Sequence, residues 1–184
     1  APTTLNFWRA PIDNDNGAFI PNKLGIWKIA GQYAKLVKFN AKKEADCVKV
    51  FYTHELCTVP VATVDTVYTV MANGQIDVKM SYKKVEGLPD MPDFGMLFKL
   101  YSSVNKIKYY GLGPCENYCD RTQGAKLGLF ALTVKEQYVP YLKPQECGNH
   151  GKVRHFDIAN NLNQGVSFVS KEGELNVSAL EFSP

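Results

Sequence analysis

The stretch VDTVYTVMANGQIDVKMSYK, residues 64–83, decides the fold class of this chain. Its first half, residues 64–71, is apolar and rich in β-branched side chains, as strands are. Asn73-Gly74 is the strongest short signal for a hairpin turn, because both residues tolerate the positive φ that such a turn requires. From Ile76 onward apolar and polar residues alternate, which indicates a strand with one buried and one solvated face. The stretch therefore predicts an antiparallel hairpin.

Similar but shorter patterns recur on both sides of this hairpin. Further strands are predicted at residues 46–52, 94–104, 106–110, 127–134, 153–158, 166–170 and 175–182. One short helix is predicted at about residues 22–33, capped by Asn22, after a first twenty residues that are mostly loop. Seven or more strands with one short helix predict an all-β fold, an antiparallel β-sandwich. No repeat or internal linker divides the chain, which predicts a single domain over residues 1–184.

The composition is that of a globular protein and excludes several function classes. Hydrophobic residues make up 45% of the chain, which is enough apolar material for a core. The net charge is +3 and the basic residues are scattered, so neither a nucleic-acid surface nor a polybasic membrane anchor is expected. No apolar run reaches the length of a membrane span, and the N-terminus lacks the layout of a signal peptide. Five cysteines, an odd count, favour free thiols in a reducing compartment over a disulfide framework.

Polar residues concentrate in three loops, at residues 9–15, 111–121 and 140–154. Each loop carries an arginine, at least one carboxylate and an asparagine, framed by proline or glycine. Loops on a rigid sheet are where binding residues usually lie. The residues predicted to bind substrate or to brace an interface are Arg9, Asp13, Asn14, Asp15, Glu116, Asn117, Arg121, Glu146, Asn149 and Arg154.

Two interpretations of these loops are open. In the first, the three arginines meet the carboxylates in one polar cleft, because arginine–carboxylate forks are rigid and directional and can hold a polyhydroxylated ligand. In the second, these pairs only brace long loops, and Asn117 and Asn149 cap turns. We favour bracing, since structural ion pairs are common and loops must satisfy their backbone groups.

Familiar catalytic layouts are missing from the sequence. It contains no G-x-S-x-G elbow, no P-loop, no H-E-x-x-H and no complete G-x-G-x-x-G before a helix. Cys115 and Cys119, together with Cys147 and His150, could supply four zinc ligands. Their spacings are loose and short Cys/His motifs often match by chance, so no metal site is predicted on this chain.

The three polar loops carry a resemblance to a known family. FWRAPIDNDNG (residues 7–17), YGLGPCENYCDR (residues 110–121) and PYLKPQECGNHGKVR (residues 140–154) resemble the C-terminal small-chain region, domain 5, of the β-galactosidases of glycoside hydrolase family 2. LPDMPDFGMLFKL (residues 88–100) and VSALEFSP (residues 177–184) resemble further segments of that region. Order and spacing match as well, so the resemblance spans essentially the whole chain.

The resemblance implies a galactose-mutarotase-like supersandwich that extends beyond both ends of this chain. It also implies a parent enzyme that hydrolyses terminal β-D-galactosides such as lactose with retention. The catalytic glutamates of that family lie in a TIM-barrel domain, as do the ligands of its magnesium and sodium ions, and no barrel is present here. Neither Glu116 nor Glu146 is therefore expected to be the catalytic acid, and neither a catalytic residue nor a cofactor is expected on this chain.

The implied partners are the remaining domains or a large subunit of the β-galactosidase, with a galactoside as substrate. The parent is expected to be a cytoplasmic homo-oligomer without nucleic-acid or membrane partners. One alternative is a stand-alone carbohydrate-binding module, in which Trp8 or Tyr118 stacks on a sugar ring. Another is a mutarotase-like epimerase, for which His150 or His155 with Glu146 would act as acid and base.

Overall fold

A computed structural model describes residues 3–182 of the chain. The first two residues of the predicted N-terminal loop and the last two of the VSALEFSP stretch lie outside this range. The strands are β1 (Thr4–Asn6), β2 (Lys35–Lys43), β3 (Cys47–Glu55), β4 (Thr63–Met71), β5 (Ile76–Tyr82), β6 (Gly95–Leu97), β7 (Lys106–Gly113), β8 (Lys126–Thr133), β9 (His150–Val153), β10 (His155–Ala159), β11 (Gly165–Val169) and β12 (Leu175–Val177). The helices are α1 (Asp13–Gly17), α2 (Ile20–Leu24), α3 (Ile26–Ala30) and α4 (Val134–Gln137).

The described residues divide into two compact units. The N-terminal unit contains residues 3–9 and Asn14–Phe98, and the C-terminal unit contains Ala10–Asp13 and residues 99–182. The prediction of one domain over residues 1–184 stays a prediction. Within the described residues, none of the helices has the length and apolar character needed to cross a membrane.

The N-terminal unit is built on a four-stranded antiparallel sheet with the order β2-β3-β4-β5. The predicted hairpin is confirmed, since β4 pairs with β5 from Val64 opposite Tyr82 to Val70 opposite Ile76. At the turn, Gly74 has a φ of 89°, which glycine adopts without steric cost. A core that includes the buried Phe7, Trp27, Leu56 and Val64 packs against one end of the sheet.

The other end of the same sheet face is apolar but exposed. Alternation and register place Val48, Val70, Ile76 and Val78 on the face that carries the buried Val64. The exposed fraction is 54% for Ile76 on β5, and Phe39, which lies on the same face at the opposite edge strand β2, is 61% exposed. We call these five exposed residues, Phe39, Val48, Val70, Ile76 and Val78, the bare face. Apolar surface of this kind marks a contact with another protein surface more often than a solvent boundary.

The C-terminal unit contains a four-stranded antiparallel sheet, β11-β10-β7-β8, and a two-stranded one, β12-β9. Buried side chains of both sheets share one core, with Ile107, Tyr109 and Phe156 from the larger sheet and Val153 from the smaller. Two sheets that enclose a common core are the arrangement of a β-sandwich. The predicted all-β class of antiparallel sandwich is confirmed.

Several local predictions are wrong in detail. The helix predicted at residues 22–33 is two short helices, α2 and α3, and Asn22 lies inside α2, which begins at Ile20 with Pro21 in its first turn. The loop predicted over the first twenty residues contains β1 and α1. The strand predicted at residues 153–158 is interrupted at Arg154 and belongs to β9 and β10, which lie in different sheets.

Candidate functional site

The second and third polar loops lie together in the C-terminal unit. The second loop leaves the end of β7, where Gly113 precedes a cis Pro114. The third loop follows α4 and leads into β9 at His150. Because β7 and β9 contribute to the same core, the two loops meet where these strands are fixed.

Glu116 joins the two loops through its side chain, which is only 8% exposed. Its carboxylate accepts hydrogen bonds from the Arg121 guanidinium and from the Tyr141 hydroxyl. It also accepts from the backbone N–H of Gly148 at 2.7 Å and, over a longer 3.5 Å, from the Tyr118 hydroxyl. An ionised carboxylate has about four acceptor positions, so all of them are used. We call Glu116 and these four partners the Glu116 latch.

Asn117 makes the second connection and is almost fully buried, at 1% exposure. Its amide N–H₂ group donates to the carbonyls of Leu112 at 3.0 Å and Cys115 at 3.2 Å, and its amide oxygen accepts from the Gly151 N–H at 2.9 Å. Its backbone N–H donates to the Asn149 carbonyl at 2.8 Å, and the Asn149 amide donates back at 2.6 Å. Every polar group of the Asn117 side chain therefore holds backbone of the second loop or of the strands β7 and β9 that adjoin the two loops.

Arg121 is fixed from two sides although its side chain is 56% exposed. Its guanidinium donates to the Tyr141 hydroxyl at 3.2 Å from both terminal nitrogens, and it lies 5.1 Å from the centre of the Tyr118 ring. Burial, with help from the nearby Glu116 and Glu146 charges, raises the pKa of Tyr118 far above its usual value. The Tyr118 hydroxyl therefore keeps its proton and stays a donor at every physiological pH.

The first loop is divided between the two units. In the C-terminal unit, the Ala10 N–H donates to Glu146 at 2.9 Å and Asp13 forms an ion pair with Lys143 at 3.2 Å. In the N-terminal unit, Arg9 forms a two-pronged pair with Asp15, at 2.6 and 3.0 Å. The backbone carbonyl of the exposed Asn14 accepts from the N–H of Ala18 at 3.0 Å.

Comparison with known proteins identifies the family of this chain. Residues 1–184 match the family described as β-galactosidase small chain. The chain belongs to the β-galactosidase small-chain family. It is 38% identical to a β-galactosidase of Streptococcus thermophilus over 97% of its length and 37% identical to one of Priestia megaterium, also over 97%. The chain spans 17% of the length of each of these two relatives.

A third relative is a separate subunit. The chain is 34% identical to a β-galactosidase small subunit of Latilactobacillus sakei over 78% of this chain and 51% of that subunit. The small-chain sequence therefore occurs both within long β-galactosidase chains and as part of a small subunit, as the resemblance predicted.

Arg154 of the small-chain fold does not join the Glu116 latch. It forms an ion pair with Glu174 at 2.8 Å and lies 5.8 Å from the centre of the Tyr110 ring. The three arginines that could have met in one cleft thus each have a carboxylate partner of their own, Asp15, Glu116 or Glu174. This arrangement is the one expected of braces, while a ligand-binding role of these residues stays a prediction.

His150 is buried beside the latch, with an exposure of 2%. Its Nδ1 lies 2.9 Å from the Tyr109 hydroxyl, and the two rings are 4.4 Å apart. Among the described residues its Nε2 has no hydrogen-bond partner. Burial lowers the pKa of His150 below the usual 6.5, although the Leu112 carbonyl and Glu116 act in the opposite direction. The site therefore holds a neutral imidazole at pH 7.

The side chains of the alternative functions are committed elsewhere. His155 lies 3.1 Å from Asp157, and the Nδ1 of His150 lies 2.9 Å from the Tyr109 hydroxyl, so each of the two histidines has a partner other than Glu146. Trp8 is buried, and the Arg121 guanidinium lies over one face of the Tyr118 ring, so stacking of either side chain on a sugar ring stays a prediction. Within residues 3–182, no three His, Cys, Asp or Glu side chains are gathered closely enough to hold a metal ion, which leaves the zinc alternative without support.

Sequence reasoning missed the tyrosines and glycines of the site. Tyr141 stands 25 positions from Glu116, and no periodicity links residues across two loops. Gly148 has a φ of 72°, and a Cβ added to Gly151 would lie 3.0 Å from the Asn117 amide oxygen. Glycine at these two positions allows backbone N–H groups to reach Glu116 and Asn117. In the sequence, the only signal of these contacts is a Gly-rich loop that follows a proline.

Replacing Glu116 by glutamine should destabilise the chain. The new amide N–H₂ group would face hydrogen-bond donors, so we expect the free energy of unfolding to fall by about 2 kcal/mol. This loss is smaller than the roughly 3–5 kcal/mol found when a fully buried ion pair is broken, because Arg121 is half exposed. Chemical denaturation measures this. The control is Glu174→Gln, which breaks an exposed ion pair and should cost less than about 0.5 kcal/mol. Equal losses in the two variants would contradict the latch.

Acidification should weaken the fold through His150. Since burial lowers its pKa from 6.5, the unfolded chain binds the proton more readily, and the stability present above pH 6.5 is lost as the pH falls toward the lowered pKa. Melting temperature should drop between pH 7.5 and pH 5.5, and the drop should be smaller in His150→Gln. His155→Gln, at a half-exposed histidine, should keep the full drop. An unchanged drop in His150→Gln would remove His150 as its source.

Proposed function

We propose that this chain is a non-catalytic part of a retaining β-galactosidase of glycoside hydrolase family 2, which cleaves terminal β-D-galactosides such as lactose. The observation that carries the proposal is that the Glu116 carboxylate is fully engaged in hydrogen bonds within the protein. A retaining glycosidase needs one free carboxylate as nucleophile and a second carboxyl group about 5–5.5 Å away as acid and base. The latch leaves Glu116 no oxygen for either task, since four donors occupy its acceptor positions.

Three of the other loop carboxylates are also engaged. Glu146 accepts from a backbone N–H, and Asp13 and Asp15 are paired with cations. We assign the catalytic glutamates, and the magnesium and sodium ions that the family implies, to the barrel domain of the parent. Within residues 3–182, no group of three or more His, Cys, Asp or Glu side chains is placed to hold a metal ion.

The role assigned to the chain is to close one side of the galactoside pocket and to contact the rest of the enzyme. The bare face supports a contact of this kind, because five exposed apolar side chains on one sheet face lose unfavourable hydration when they are covered. The relatives support it too, since the chain spans only 17% of the two single-chain β-galactosidases. The proposed assembly is a homo-oligomer in the cytoplasm, a location that suits the five free cysteines.

The isolated chain should release no nitrophenol from a nitrophenyl β-galactoside, and co-expression with the remaining domains or large subunit should give an active enzyme. Activity of the isolated chain would refute the non-catalytic role. Ile76→Ser, on the bare face, should reduce the recovered activity and the amount of co-purified complex by at least about tenfold. Burial of one aliphatic side chain contributes more than about 1.4 kcal/mol, and a loss of 1.4 kcal/mol weakens binding tenfold.

Lys79→Ser is the matched control for this experiment. Lys79 lies on the same strand as Ile76 but on the opposite face of the sheet, so its loss should leave assembly unchanged. Equal assembly of the two variants would show that the bare face is not the contact surface.

A further inference from the structure

A cleft of about 520 Å³ opens beside the Glu116 latch in the C-terminal unit. It is lined by residues 113–117, Arg121, Gly124, Ala125 and Val139. Most of this wall is small or apolar, and Glu116 and Arg121 are its charged side chains. The volume lies within the range of small-molecule sites.

The hydrogen bonds of the lining side chains show what the cleft can offer to a ligand. Glu116 has all its acceptor positions occupied, and the Asn117 amide has its donors and its acceptor occupied. Arg121 has five N–H groups, and its described contacts to Glu116 and Tyr141 use at most three, all on the terminal nitrogens. At least two N–H groups of a half-exposed, already oriented guanidinium are left for a ligand.

We propose that this cleft binds a short aliphatic carboxylate through Arg121. A carboxylate accepts strong, charge-assisted hydrogen bonds from a guanidinium N–H, and the neighbouring Glu116 charge repels a phosphate dianion about twice as strongly as a carboxylate monoanion. Pro114, Ala125 and Val139 suit the aliphatic part of such a ligand. The carboxylate is either a free small molecule or an acidic side chain of a neighbouring polypeptide. This inference does not rest on the proposed β-galactosidase function.

Cys115 provides a built-in probe, because its exposed thiol lines the same cleft. Iodoacetate and iodoacetamide alkylate the same thiolate, so the ratio of their rates cancels the reactivity of the thiol and reports its preference for an anionic reagent. Peptide mapping by mass spectrometry gives this ratio at Cys115 and at Cys57, an exposed cysteine of the N-terminal unit. The ratio at Cys115 should exceed that at Cys57 by about threefold, the scale of one unit charge acting on another over several ångströms in water.

Two controls separate Arg121 from other causes. Arg121→Gln should reduce the ratio at Cys115 to that at Cys57, whereas Arg154→Gln, which removes another ion-paired arginine of the same unit, should leave it unchanged. In the unmutated chain, butyrate should slow the alkylation of Cys115 by iodoacetate more than the uncharged butyramide does. The proposal is overturned if the two cysteines show equal ratios, if the preference survives Arg121→Gln, or if butyrate protects no better than butyramide.

The source of the carboxylate follows from the same alkylation in a β-galactosidase that contains this chain with its remaining domains. Shielding of Cys115 from both reagents there, after a preference in the chain alone, identifies an acidic side chain of the enzyme as the occupant. Retention of the preference identifies a free carboxylate as the ligand. A Cys115 that reacts with both reagents without preference in the assembled enzyme overturns the site.

Discussion

The hydrogen bonds that Glu116 and Asn117 make to loop backbone are the constraint on which the candidate site depends. Between strands β7 and β8, and between α4 and β9, the two loops lack a sheet ladder, so many of their N–H and carbonyl groups need other partners. Two adjacent side chains supply them, by receiving the N–H groups of Gly148 and Gly151 and by donating to the carbonyl of Leu112. Because these bonds are largely shielded from water, leaving any one of them unpaired is costly.

The proposed non-catalytic role of this chain rests on the same bracing. A carboxylate that acts as nucleophile or general acid must have an oxygen directed at the substrate, but both oxygens of Glu116 are directed at protein donors. The tyrosine hydroxyls around it remain protonated because burial opposes their ionisation. Arg121 is the exception within the latch, since the bonds that orient it leave part of its guanidinium open to the cleft.

The sequence predicted those parts of the fold that depend on short, local patterns of residues. Alternation and Asn73-Gly74 were sufficient for the β4–β5 hairpin, because the register follows from the turn. Strand β2 escaped prediction because its sequence, KLVKFNAKK, does not alternate regularly: Leu36 and Val37 are adjacent apolar residues, and the pairing register shifts between Leu36 and Lys38. The start of α2 was missed because a capping side chain was expected at Asn22, whereas the helix begins at Ile20, without a side-chain cap and with Pro21 in its first turn.

The sequence predicted which residues form the candidate site but not which of them contact each other. Polar loops framed by proline and glycine identified Glu116, Asn117 and Arg121, and the order of motifs identified the family. Which partners they find depends on loops that meet only in three dimensions. Arg154 could equally have joined Glu116, yet it pairs with Glu174 because β9 and β12 lie side by side.

The most direct test of the account is the amide hydrogen exchange of Gly148 and Gly151 in the folded chain. Both N–H groups lie in or next to a polar loop, and both end on a shielded side-chain oxygen of the second loop, at 2.7 and 2.9 Å. The account predicts that they exchange as slowly as the amides of strand β7, because they open only when the two loops separate. Exchange as fast as that of an exposed loop residue such as Leu142 would contradict it, since the two loops would then not be held together by Glu116 and Asn117.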